Sequence, residues 1–177
     1  VDFAAARPVY ATALRLFDTI ADLAGLTAAD RDLLQTSAQL SQIGTHIDYY
    51  DRERHAEYMV LSGDLHGFTH REVVLLAAII RWSESGTVPL GLYRDLLTPG
   101  DAEHAAMLAC VLGVAQAVHR RTPSTVVQLD VQVKRRVLRL TIHARDAALP
   151  ELAALARQQA RFSAAFHLDL QARALKA

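Results

Sequence analysis

The hydrophobic period changes once along this chain, and that change limits what it can fold into. Up to about residue 121 the apolar residues recur at three- and four-residue steps, the spacing of helices. At Thr122-Pro123 the period becomes two: Val127, Leu129, Val131 and Val133 alternate with Gln128, Asp130 and Gln132. After Lys134-Arg135-Arg136 the alternation resumes at Leu138, Leu140 and Ile142, so the two runs predict a β-hairpin. Pro150 with Glu151 beside it suits the first turn of a helix reaching about Phe166. Leu168-Asp169-Leu170 reads as a third strand. The expected fold class is mainly α: a helical bundle over residues 1–121, then a small C-terminal β-β-α-β subdomain over residues 122–177.

Within the bundle, Phe3 to Leu26 is an amphipathic helix stopped near Gly25. Thr27 and Asp30 have the spacing of a capping box for a second helix, which Gly44 ends. His46 to Asp51 is a polar, aromatic connection, and a third helix runs from Arg52 to about Leu61. Ser62 to Phe68 is a loop with two glycines, followed by a second box at Thr69 and Glu72. Val73 to Trp82 is apolar almost all round, which predicts a central helix. Ser83 to Pro89 breaks it, Leu92 to Leu97 forms a short helix, and a long helix spans about 102–120.

A chain of 177 residues with 51% hydrophobic content buries a core without metals or disulfides and is too apolar to be disordered. The single cysteine, Cys110, excludes a disulfide framework and suits a reducing cytoplasm, the expected location. No apolar run reaches the roughly 18 residues of a membrane span. The start, Val1-Asp2-Phe3, has no signal-peptide pattern and reads as an internal start of something longer. Net charge is zero, but unevenly distributed. Residues 1–60 hold five Arg against nine acids, residues 61–118 three against six, and residues 119–177 eleven Lys and Arg against four. A basic last third acts locally on an anion or merely keeps that face solvated.

Motifs for common chemistries are missing: there is no GxxxxGK, no GxGxxG and no HExxH. Cys110 sits in an apolar helix and reads as core rather than nucleophile. The eight histidines are mostly isolated. His66 and His70 are four apart, but Gly67 places a loop between them, so no zinc site is expected.

One stretch is more specific. Ala38-Gln39-Leu40-Ser41-Gln42-Ile43-Gly44, then Arg54-His55-Ala56-Glu57-Tyr58, then Gly63-Asp64-Leu65-His66-Gly67-Phe68 and Arg71-Glu72-Val73-Val74-Leu75-Leu76-Ala77 follow one another. In that order they resemble the C-terminal half of the exopolyphosphatase / guanosine pentaphosphate phosphohydrolase family, which is related to the HD phosphohydrolase fold. Leu108 to Ala115 looks like that family's next core helix, and the hairpin, the Gln158-Gln159 helix and the last strand look like its final subdomain. The resemblance covers nearly the whole chain and implies an HD-like bundle.

The departures are as informative. Where the family usually has a His and an acid before Ile-Gly, this chain has Ser41-Gln42. Glu53 stands where a second His is expected, two residues before His55, and Ser83 replaces a third after Arg81-Trp82. Hydroxyl and amide oxygens are poor ligands for first-row metals beside imidazole and carboxylate, so these positions argue against metal-dependent hydrolysis. The resemblance implies that catalysis belongs to N-terminal domains, missing here, which use Mg²⁺; no cofactor is expected in this domain.

The implied function is non-catalytic: helping to bind polyphosphate or another phosphate-rich anion, and forming a homodimer. Arginine suits the first task through bidentate contacts to phosphate oxygens. The candidate residues are Arg52, Arg54, His55 and Arg81 near the altered HD positions, and His119, Arg120 and Arg121 at the end of the long helix. Plainer readings stand beside these. Arg52 and Arg54 can pair with Asp51, Glu53 and Glu57 on the surface. His119 to Arg121 suit a helix C-terminus, and Lys134 to Arg136 suit an exposed turn. Two other functions stay open: a divergent HD-type phosphohydrolase acting on a nucleotide or phosphate ester, and a purely structural dimerisation domain.

Overall fold

The computed structural model describes residues 6–47, 51–121 and 123–177, apart from the side chain of His46. Residues 3–5 of the first expected helix, the middle of the His46–Asp51 connection and Thr122 therefore lie outside the described residues. The helices are α1 (Ala6–Ala24), α2 (Ala28–Leu40), α3 (Arg52–Ser62), α4 (His70–Ser85), α5 (Asp101–Val118) and α6 (Leu149–Phe166). Two short 3₁₀ helices, Ile43–His46 and Gly91–Leu96, link them. The strands are β1 (Val126–Lys134), β2 (Val137–Ala144) and β3 (Asp169–Lys176). The architecture is the mostly helical bundle with a small β-β-α-β unit that the sequence leads one to expect.

Both capping boxes form. The Thr27 hydroxyl accepts from the Asp30 amide while Asp30 accepts from the Thr27 amide, and Thr69 and Glu72 do the same for α4. Such caps satisfy helix-end donors that would otherwise lack partners. From Val74 to Ile80 every α4 residue is buried, so α4 is the central helix its uniform apolarity predicts. It lies against α2, α3 and α5.

Helix α5 begins at a compact ion-pair junction. Asp101 Oδ2 accepts from the Thr98 amide at 2.7 Å and from its hydroxyl at 2.9 Å, and both Asp101 oxygens accept from the Arg71 guanidinium of α4. The Arg71 hydrogen bond holds the Asp101 carboxyl down at about 2, aided by Thr98 and opposed by burial. Replacing Asp101 by Ala is expected to cost about 1–2 kcal/mol at pH 7. A lowered carboxylate pKa contributes stability above the unfolded value near 4 and loses it as pH falls through the folded value. Urea unfolding of both proteins should show that difference shrinking from pH 4 toward pH 2; a difference independent of pH would assign the cost to packing.

The sheet order is β1-β2-β3, with β1–β2 antiparallel and β2–β3 parallel. Arg135 and Arg136 form a two-residue turn with both φ values positive, at 52° and 61°. That conformation matches the twist of a hairpin and more usually holds Asn-Gly. Helix α6 makes the crossover that a parallel β2–β3 pair requires. Leu138, Leu140 and Ile142 of β2 are fully buried, and the opposite face, with Arg139, Thr141, His143 and Arg173, is open.

One position of the expected alternation fails. Val126 pairs with Ala144 but Gln128 pairs with His143, so a bulge at Val127 adds one residue. A bulge flips the side chain it carries, and Val127 is 59% exposed while Val126 packs on the core instead. The third strand is also longer than the three residues the sequence suggests, because all eight residues of β3 pair along β2. Apolar contacts run without a break from Leu16 and Ile20 of α1 through Leu108 and Leu112 of α5 to Leu140 and Phe162. A second cluster, with Ala56, Val60, Leu76 and Ile80, holds α3 on α4.

Candidate functional site

Of the altered positions, Ser41, Glu53 and Ser83 are buried and Gln42 is half-buried. Ser41 is buried and its hydroxyl donates to the Ala38 carbonyl at 2.9 Å. Ser83 is buried near the end of α4, with its hydroxyl 2.8 Å from the Ile80 carbonyl and 3.0 Å from Gln116 Oε1 of α5. Glu53 is 5% exposed and accepts from Arg52 Nε at 2.6 Å. Burial pushes the Glu53 carboxyl up, but hydrogen bonds with Glu84 and Arg52 outweigh it and hold the group down. Glu84 is held up, first by its hydrogen bond to Glu53 and then by burial. Two carboxyls this close cannot both ionise freely, so Glu84 is the one that keeps a proton more readily.

Beside this pair is a cavity of about 120 Å³ where α3, α4, α5 and α6 meet. Four arginines line it: Arg52 from α3, Arg120 just beyond α5, and Arg157 and Arg161 from α6. Arg52 Nη2 lies 3.3 Å from Glu84, whereas Arg120 reaches Glu84 only at 4.0 Å. Arg157 has no ion-pair partner among the described residues. Arg161 donates to the Trp82 and Ser83 carbonyls and so caps the end of α4. The floor depends on Gly113 of α5. A Cβ there would run into the Ser83 carbonyl oxygen, so glycine lets α5 lie directly against α4.

The other expected site residues are elsewhere or occupied. Arg54 is exposed on α3, and His55 is half-buried on the same helix. Arg81 lies 3.4 Å from Glu57 and donates to Ser85 at 2.9 Å. His119 is packed between the Thr12 hydroxyl at 2.8 Å and the Ser124 hydroxyl at 3.2 Å. Burial pushes its pKa down to about 4, so it is neutral at pH 7. Arg121 is tied to Asp146 and to buried Glu151, both at 2.7 Å. Of the seven residues read from the sequence, the fold brings Arg52 and Arg120 to one cavity. It adds Arg157 and Arg161, whose spacing of four on a helix is a visible signal that they share a face.

The Mg²⁺ that the resemblance attaches to the parent enzymes does not fit these residues. Hard cations need several free oxygen ligands. The buried carboxylate here, Glu53, is engaged by Arg52 and hydrogen-bonds Glu84, and four guanidinium groups repel a cation. Among the described residues no group of three His, Cys, Asp or Glu side chains is placed to hold a metal. Nor is any described helix long and apolar enough to cross a membrane. What gathers here is four arginines beside the Glu53–Glu84 pair. In comparison with known families, the sequence model of the Ppx/GppA phosphatase domain III matches residues 1–160.

Proposed function

From the premise that this chain belongs to the Ppx/GppA phosphatase family as its domain III, we propose that it is a non-catalytic module binding polyphosphate or another phosphate-rich anion. The observation that carries this reading is the cavity with Arg52, Arg120, Arg157 and Arg161 around Glu84. Guanidinium groups pair with phosphate oxygens in bidentate fashion and stay charged at any working pH. The same cations disfavour metal-assisted hydrolysis at this place, because they occupy the surroundings a divalent ion would need.

Titration of the chain with long-chain polyphosphate at two salt concentrations tests the reading. Binding is expected to saturate and to weaken with salt, since contacts to a polyanion release counterions. An Arg120→Ala, Arg157→Ala double variant should bind about tenfold more weakly or worse, with an unchanged unfolding midpoint. Equal affinity in the variant would remove the cavity from the binding surface.

Self-association belongs to the same reading. Leu92, at 95% exposed, and the exposed Tyr93 and Leu96 stand together on the second 3₁₀ helix, and clustered apolar exposure marks contact surfaces. The mass in solution, measured across a concentration series, tests this; a monomer throughout would remove dimerisation.

A further inference from the structure

We propose that the arginine cavity binds phosphate chains by their ends, taking one terminal phosphoryl group against Arg120, Arg157 and Gln116. This rests on the phosphate-binding reading above and specifies how that site selects its ligand.

Three observations carry it. The first is size. At about 120 Å³ the cavity is well below the roughly 300–1,000 Å³ of pockets that take whole organic ligands. It is sized for a phosphoryl group rather than for a whole nucleotide. The second is closure. The wall behind the arginines is the α4–α5 contact at Gly113, with Ser83 fully buried beside it. A chain entering from the arginine side cannot pass between α4 and α5, which favours an end over an internal unit with phosphate on both sides. The third is an unused donor. Gln116 lines the cavity and is 8% exposed, and its Nε2 has no hydrogen-bond partner. A buried donor without an acceptor is costly, and a phosphate oxygen would supply one.

Charge points the same way. A terminal phosphoryl has two ionisable oxygens and, as phosphomonoesters do, carries about −1.5 to −2 at pH 7, whereas an internal unit of a chain has one ionisable oxygen. Four guanidinium groups exceed the two nearby carboxyls, Glu53 and Glu84, and one of these two holds its proton more readily. The surplus of positive charge suits the more highly charged end.

Calorimetric titration of the full chain with tripolyphosphate and with polyphosphates of graded length tests the proposal. The number of protein chains bound per polymer should stay at one per chain end as length grows. A number rising with length would overturn end binding while leaving phosphate binding by this domain intact. No binding at any length would overturn both. Gln116→Leu should weaken tripolyphosphate binding about tenfold or more, and an unchanged affinity in the folded variant would remove Gln116 from the site.

Discussion

Replacing Gly44 by alanine is expected to lower the thermal unfolding midpoint by about 6–12 °C, from a loss of about 3 kcal/mol. Gly44 sits in the first 3₁₀ helix, where a Cβ would drive into the Arg52 carbonyl oxygen and come within 2.8 Å of the Ala56 amide nitrogen. Both are backbone atoms of α3, so no side chain can swing aside. The whole start of α3 would have to move, and it carries Arg52 of the cavity and buried Glu53. The same substitution should therefore weaken phosphate binding even at temperatures where the protein is folded. Circular dichroism melts of the two proteins check the first part. A midpoint within a degree or two of the parent would mean that α3 is not seated on Gly44 as described.

Acid should destabilise the protein by about 3 kcal/mol through His119 alone as pH falls from 6.5 to 4. Burial between α1 and the segment before β1 depresses His119 to about 4, and the weaker pull of Glu151 does not offset this. The unfolded chain takes up a proton near pH 6.5 and the folded chain does not, so stability is present above 6.5 and is lost as pH falls. Below about 4 both states are protonated and this contribution levels off. His119→Gln keeps a hydrogen-bonding side chain but removes the titration. Chemical denaturation of parent and variant between pH 4 and 7 should give curves that converge toward acid. Parallel curves would show that His119 takes up its proton equally in the folded and unfolded states. Asp101 acts in a lower window, between about 4 and 2, so the two groups can be separated by pH.

Much of the fold is legible in the sequence because it rests on local physics. Thr27-Asp30 and Thr69-Glu72 announce helix starts by spacing alone, and both boxes form. The uniform apolarity of Val74 to Ile80 requires a helix covered on all sides, as α4 is. Val127 could not be read this way. Its exposure follows from how β1 registers against β2, which is a property of the pair and not of either strand. The length of β3 is set in the same way, by eight residues of partner in β2.

The site was less legible, for a similar reason. Ser41, Glu53 and Ser83 can be read as departures from metal ligands, but not what replaces them. The replacement is an arrangement of four helices. Arg157 and Arg161 lie some hundred residues from Arg52 in the sequence, and only the packing of α6 on α5 brings them together. His119 and Arg121 look available as cations in a basic run. One is half-buried and neutral at pH 7, and the other is held by two carboxylates.

The parallel pairing of β3 has a consequence for assembly. β2 is the middle strand, yet its second neighbour, β3, comes later in the chain, separated from it by all of α6. Hairpin β1–β2 can close early, since its turn is two residues long. Until residues 169–176 arrive, β2 keeps one row of backbone donors and acceptors open. On a ribosome or in refolding, that open row is the place where two incomplete chains can pair with each other. Refolding yield should therefore depend on protein concentration most steeply in the interval before β3 docks.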